Sequence, residues 1–428
     1  MNIQYELTHF KNLLQTYPNW EALRIYLESE EGGSFRVTNT NASGHCIIRY
    51  EKGCSNMNLS HSKWFRSVVW NTCTNRPACI APPKASTDGI PDTGILCEEL
   101  LDGFMINCFR QSGDDKLHIT SRSKLDAAGR FYSSKSFRRL FIESYLNMDT
   151  ESDENAEQLI QDRSYHLDAP KTENKEVAVC YSFLVQHVEH QIVTQINQNR
   201  VYLLHTGTIY EDGTVLMKDH IETFRDQPNM LTIPFMNDTN SVTEWATQLF
   251  MEKTWEFQGV VLKDQLGNRW RIRSEKYAAV KSLRGNSPTV VERFSQLYTQ
   301  NLIHTYLKYY PKEAFDISFY AMCMTDMINS VYKHYVDLHI TKTVTTSEID
   351  KMYLPHLYTI HGIYLSQLRP DNKKVNTIEI AQYFHKQPWQ RIAFLLKKVK
   401  DNYFAHIQSM VQADPMMSVV DAFFNPVQ

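Results

Sequence analysis

The chain has 428 residues, 42% of them hydrophobic and 22% charged, with a net charge of −3. That balance fits a folded protein of two or three domains and excludes both a disordered chain and a globally basic one. Nucleic acid, if bound, must therefore meet a local basic patch. "VKSLRGN" and "SSKSFRR" are the candidates, although solvated faces are the simpler reading of both. Aromatic residues reach 12%, more simply explained by a dense core than by base-stacking surfaces. The eight cysteines show no CxxC spacing, which argues against a zinc ribbon. With no secretory leader and no membrane-length apolar run, the expected setting is intracellular and reducing, with no membrane association.

Residues 3–28 carry helical spacing, with Phe10, Leu13 and Leu14, then Leu23, Tyr26 and Leu27 beyond the interruption "YPNW". From about residue 34 short β-type runs take over: "FRVTNT", "HCIIRYE", "FRSVVWN" and "ACIAPP". "GILCEEL" and "GFMINCF" flank a Leu-Asp-Gly turn, and "KLHITSRS" follows. Residues 135–148 return to a helical period. Residues 148–176 are acidic and polar, and their first half reads as an exposed loop or helix start. "VAVCYSFLVQH", "HQIVTQI" and "RVYLLHTGTIY" read as consecutive strands. "SVTEWATQLFMEKTW" is helical, and "FQGVVLKD" with "NRWRIRSEKY" reads as a hairpin. After "RGNSP" only helical periods remain, with Phe294, Leu297, Tyr298, Leu302 and Tyr306 on one face. The expected class is α+β: a domain of mixed antiparallel sheets with flanking helices over 1–286, then an all-helical C-terminal domain over 287–428.

Covalent nucleotidyl transfer needs a neutral lysine to attack an α-phosphate. It also needs two carboxylates for a divalent metal and a pair of cations for the phosphates. "EELLDGFMIN" resembles the lysine–X–Asp–Gly turn of such enzymes. "YSFLVQH" resembles their first carboxylate strand, "FQGVVLKD" the second, and "RWRIRSEKY" the Lys-X-Lys strand. "FRSVVWN", "ACIAPPKAS" and "ITSRSKLDAAGRF" resemble the segments around the nucleophile. In this order over residues 60–286, the series resembles the T4 RNA ligase-like nucleotidyltransferase family, whose catalytic domain is an ATP-grasp-like ligase fold. In texture it is similar to uncharacterised RNA-ligase-like proteins of large nucleocytoplasmic DNA viruses.

The resemblance places the nucleophile position on Leu100, with Asp102 and Gly103 retained. It places the carboxylate positions on Leu184 (with Gln186 nearby) and on Gln258, followed by a retained Gly259. The lysine pair falls on Arg271 and Arg273, the upstream arginine on Arg66, and the Thr-Arg motif on Arg122. Lys84 and Lys263 are the lysines that could stand in as relocated nucleophiles. The resemblance thus implies a catalytically degenerate pseudoenzyme with no intact catalytic residue and no metal site. Its pocket, formed by Arg66, Lys84, Asp102, Gly103, Arg122, Gly259, Lys263, Arg271 and Arg273, would still bind an anion, a nucleotide or nucleic acid. No cofactor is then required; ATP or GTP with Mg²⁺ enters only if activity remains. One alternative is an active ATP-dependent RNA ligase or capping-type enzyme with relocated groups. Another is a structural component of a virion or transcription complex. Implied partners are RNA or nucleotide, and viral or host proteins through the helical domain. The implied compartment is the cytoplasm, a viral factory or the virion.

Other signals are weaker. His187 and His190 in "HVEH" would point to opposite faces of a strand, so a shared metal is not expected. His205, His356 and His361 lack a ligand partner at useful spacing. The aspartates of "TDGIPDTG" read as turn formers, and "FLLKKVK" as a solvated helix face.

Overall fold

The computed structural model describes residues 3–91, 96–164, 167–219, 230–231, 235–237 and 242–413. They divide into two compact units, 1–281 and 282–428. The boundary expected at 286 lies a few residues past that division.

The first unit opens with strand β1 (Ile3–Leu7), helices α1 (His9–Thr16) and α2 (Trp20–Glu28), and strands β2 (Arg36–Val37), β3 (His45–Arg49), β4 (Val68–Asn71) and β5 (Arg76–Ile80). Strands β6 (Leu96–Glu99), β7 (Phe104–Gln111) and β8 (Asp114–Thr120) follow, then helices α3 (Phe137–Leu146) and α4 (Asp153–Arg163). The long strands β9 (Glu176–Gln186) and β10 (Arg200–Tyr210) lead to β11 (Val215–Asp219), β12 (Met230–Leu231) and β13 (Phe235–Asn237). Helix α5 (Val242–Glu252), the hairpin β14 (Gly259–Lys263) and β15 (Arg269–Arg273), and helix α6 (Glu275–Arg284) complete the series. The class is mixed α+β, with largely antiparallel sheets and a helical C-terminal region.

Three sheets form. The largest runs β1-β11-β10-β9-β7-β8, with β12 beside β10; the others run β13-β6-β14-β15 and β2-β3-β4-β5. Strand β9 explains the layering. Its odd residues Val179, Tyr181, Phe183 and Val185 pack with Phe141, Ile142 and Ile160 of α3 and α4. On the opposite face, Ala178 and Cys180 pack with Ile47, Val69 and Cys79 of the β2-β3-β4-β5 sheet. A strand covered on both sides needs a near-continuous apolar run, which is what "VAVCYSFLV" supplies. The same alternation sends Ser182, Leu184 and Gln186 toward the face that carries the candidate site.

The structure corrects two sequence expectations and sharpens a third. Residues 3–7 form a strand rather than the start of a helix, because "IQYEL" alternates buried and exposed residues against β11. "HQIVTQI" forms turns rather than a strand, since the Asp102 carboxylate and Glu256, rather than a neighbouring strand, satisfy its polar groups. Within the acidic stretch, Asp153–Arg163 is a full helix, capped by the Ser152 side chain accepting from the Asn155 N–H. Asp92 of the "TDGIPDTG" loop and the first residues of "GILCEEL" lie outside the described residues.

The second unit is helical: α7 (Val290–Thr299), α8 (Ile303–Tyr309), α9 (Ala314–Tyr335), α10 (Leu354–Ile363), α11 (Thr377–His385) and α12 (Trp389–Ala413). Arg284 and Arg293 both reach Glu313, at 2.8 and 3.1 Å, and pin the start of the bundle. Among the described residues, no helix is long and apolar enough to cross a membrane.

Candidate anion-binding site

The Leu-Asp-Gly turn between β6 and β7 is held from three directions. The Leu100 N–H donates to the Gly259 carbonyl at 2.9 Å. The Asp102 carboxylate accepts from the backbone N–H groups of Val193 and Thr194 at 2.9 and 3.0 Å. Gly103 sits so close to β9 that a Cβ there would stand 2.5 Å from the Val185 carbonyl oxygen. Asp102 is therefore an anchor of the turn, spent on main-chain donors. Gly259 has φ +144°, and a Cβ there would stand 2.1 Å from the Ile272 oxygen. The close pairing of β14 with β15 depends on that glycine.

The residues at the carboxylate positions have other work. Leu184 is paired in register with Met105 of β7 and Tyr202 of β10, and these pack with Leu101 and Leu204. Gln258 is buried. In the amide orientation that satisfies both neighbours, its oxygen accepts from Arg273 at 3.1 Å and its nitrogen donates to the Leu101 carbonyl at 3.2 Å. An apolar cluster and a neutral amide bridge thus occupy the places where a divalent metal would need oxygen anions. The residues present do not fit Mg²⁺.

Beside this turn lies a cavity of about 250 Å³ lined by Arg66, Arg122, Ser67, Asn107, Phe104 and Phe137, among others. Ser67 is buried and its hydroxyl has no hydrogen-bond partner among the described residues. Arg66 sits among cations. Burial first, then Arg269, Arg122 and Arg271, pull its pKa down to about 10, with Tyr50 opposing. Arginine stays charged at neutral pH even so; burial is the main cause of the shift, and the neighbouring arginines add to it. Lys84 is exposed, and its pKa is lowered by partial burial and then by Arg271, Lys52, Arg122 and Arg66. Burial and then Arg273 lower Arg271 in the same way.

Backbone pairing brings this group together. The Ser86 N–H donates to the Arg269 carbonyl at 2.8 Å, and the Arg271 N–H donates to the Ser86 carbonyl at 2.9 Å. The "APPKAS" segment therefore runs along β15 and carries Lys84 to Arg271. Alternation along "RWRIR" puts Arg269, Arg271 and Arg273 on one face. Arg122 lies 5.4 Å over the Tyr50 ring and Arg273 5.9 Å over that of Tyr277. Among the described residues, Arg66, Lys84, Arg122, Arg271 and Arg273 form no ion pair with a carboxylate.

Lys263 is a different case. It is 3% exposed, and its ammonium lies 2.9 Å from Glu98 and 3.1 Å from Asp219. Burial works against its charge, but Glu98 and Asp219 outweigh that and raise its pKa. A buried, doubly paired, firmly protonated lysine can neither attack phosphorus nor reach a phosphate, so the expectation of a phosphate-binding or nucleophilic role is corrected. The basic patches change character too. In "SSKSFRR", Lys135 and Arg139 pair with Glu143, and Arg138 with Glu157. In "VKSLRGN", Arg284 is buried against Glu313. Lys397 of "FLLKKVK" pairs with Glu292 at 3.0 Å.

The histidines are structural in their contacts. His187 and His190 lie in a turn just past β9, not on the strand. Ligand atoms of Glu143, His187 and Glu189 lie within 4.8 Å of one another. However, Lys135 already bridges the two carboxylates at 2.8 and 2.7 Å. His205 is buried against the Ile80 carbonyl and Ser182, and burial lowers its pKa to about 4, keeping it neutral. His356 meets the Tyr383 hydroxyl at 2.8 Å, and His361 meets Tyr335 at 3.2 Å.

Sequence reasoning missed Ser67, Lys52, Tyr50 and Arg269. Arg269 was readable from the Arg-X-Arg-X-Arg alternation. Lys281, within the basic run "VKSLRGN", has its pKa lowered by burial and then by Arg273, with Asp102 opposing and Arg271 adding to the depression. No protein family model matches the chain, and no curated protein matches it.

Proposed function

We propose that the protein is a catalytically degenerate member of the RNA-ligase-like nucleotidyltransferase group that binds phosphate-bearing ligands without covalent transfer. One observation carries this reading. Arg66 and Arg122 line one small cavity, Lys84 and Arg271 act on them electrostatically, Arg273 acts on Arg271, and none of the five has an ion-paired carboxylate among the described residues. Proteins do not usually gather like charges at such cost without a ligand to neutralise them. Arginines suit this task, because the guanidinium fork matches phosphate and never loses its proton. Nucleotide and RNA are the ligand classes that the site supports, with protein partners met through the helical unit.

The reading rests also on what is missing from the motif positions. Leu100 has no nucleophilic atom, Leu184 lies in an apolar cluster and Gln258 is neutral. With Lys263 buried in its ion triad, a relocated-nucleophile enzyme would have to use Lys84. The test is incubation with α-labelled ATP or GTP in Mg²⁺ and in Mn²⁺, followed by denaturing electrophoresis. No covalent label is expected; label that vanishes in Lys84→Ala would replace this reading by the enzyme. Binding to RNA should fall with rising salt. Arg271→Ala with Arg273→Ala should weaken it about tenfold or more and flatten the salt slope by about two.

A further inference from the structure

We infer that the site takes the polyphosphate chain of a 5′-phosphorylated nucleoside directly on its arginines, with no divalent cation between them. This rests on the anion-binding reading above and narrows it. Where a phosphate chain is held through Mg²⁺, carboxylates fix the ion and the ion bridges the phosphate oxygens. Here both carboxylate positions are closed. Leu184 is a half-buried apolar side chain packed with Met105, Tyr202 and Leu101, and the Gln258 amide bridges Arg273 and the Leu101 carbonyl.

Of the nearby carboxylates, Glu99 lines a separate pocket with Leu101, Gln186 and Arg200, and the other three are spent. Glu98 and Asp219 neutralise Lys263, and the Asp102 carboxylate accepts from two backbone N–H groups. The polar groups lining the cavity carry no negative charge: Arg66, Arg122, the Asn107 amide, Ser121, Ser123 and the unpartnered, buried Ser67 hydroxyl. Lys84 and Arg271 stand next to them. A metal ion would add positive charge to a group already repelling itself, whereas a bare polyphosphate relieves the repulsion. The ligand's charge therefore sets its affinity, and Mg²⁺, by neutralising the ligand in solution, competes with the protein for it.

The cavity is also the right size for selectivity by charge. At about 250 Å³ it is small beside the several hundred Å³ of a site that engulfs a whole cofactor. Phe104 and Phe137 supply an apolar wall for a ribose or base, while the cations deal with the phosphates.

Calorimetric titration of the full chain with GTP and with ATP tests this, each in excess EDTA and in millimolar Mg²⁺. Affinity in EDTA should equal or exceed that in Mg²⁺, and should fall about tenfold from triphosphate to diphosphate and again to monophosphate. Inorganic tripolyphosphate should compete. Arg271→Gln should cost about tenfold, and the exposed Lys84→Ala about threefold without risk to folding. Comparing a 5′-triphosphorylated RNA oligonucleotide with its 5′-hydroxyl counterpart and with GTP shows whether the group comes from an RNA end or a free nucleotide. A loss of about tenfold or more on adding EDTA overturns the metal-free inference and leaves the anion-binding reading standing. Absence of binding to every phosphate ligand in both buffers overturns both.

Discussion

Removing the Lys263 ammonium, as in Lys263→Met, should destabilise the first unit severely. Its Nζ is the sole cation paired with Glu98 and Asp219 among the described residues, at 2.9 and 3.1 Å. Glu98 is 1% and Asp219 5% exposed. Deleting one partner of a buried pair leaves uncompensated charge and costs about 3–5 kcal/mol. Methionine keeps the stem's apolar contacts, so little of that loss comes from packing. All the tryptophans except Trp389 lie in the first unit, so indole fluorescence reports its unfolding. With a urea slope of about 3 kcal/mol/M, the midpoint should fall by roughly 1–2 M. Adding Glu98→Gln and Asp219→Asn to Lys263→Met removes the stranded charges and should restore most of the loss. The pH dependence has a defined sign. Lys263 is raised by its partners, so its contribution is complete below the ordinary lysine range and lost as pH rises past the raised value. Burial opposes charge on Asp219, but Lys263, His205 and Arg269 lower its pKa, so its contribution is lost as pH falls through the lowered value. A Lys263→Met protein whose midpoint stays within about 0.3 M of the parent would refute the argument that this lysine is a structural group.

Two more outcomes test neighbouring parts of the fold. Burial works against the Glu143 charge, but hydrogen bonds from Lys135, Thr150 and Arg139 hold its pKa at about 2. Its stabilisation is thus full above the ordinary carboxylate value and lost as pH falls toward 2, so the stability gap between parent and Glu143→Gln, about 3 kcal/mol at neutral pH, should close over that interval in acid denaturation. Gly259→Ala forces a Cβ toward the Ile272 carbonyl at a positive φ and should cost about 3 kcal/mol or more, read as a lowered urea midpoint and faster amide exchange in β14 and β15.

The strands around the site were legible where local pattern dominates. "VAVCYSFLV", "RVYLLHTGTIY" and "GVVLK" are apolar runs that only a covered sheet accommodates, and each is a strand. "HQIVTQI" also carries β-branched residues but turns, because Asp102, 91 residues away, claims its N–H groups. "IQYEL" alternates plainly, yet the helical spacing that begins at Phe10 masks it. The site was legible in Arg66, Arg122, Arg271 and Arg273, which one strand or one motif places. Lys263 was opaque because Glu98 stands 165 residues upstream. Ser67 was opaque because an unsatisfied hydroxyl is a property of packing and leaves no mark in the chain.

The pairing of Ser86 with β15 has a bearing on solubility. Strand β15 is an edge of its sheet, and an open edge offers a template on which a second chain can add a strand. Ser86 occupies one donor and one acceptor in the middle of that edge. Pro82 and Pro83, just before it, have no N–H with which to extend a ladder. The segment that delivers Lys84 thus also blocks the edge against strand addition, and the flanking arginines repel a like copy. Loosening "APPKAS" should therefore show first as self-association, before any loss of secondary structure.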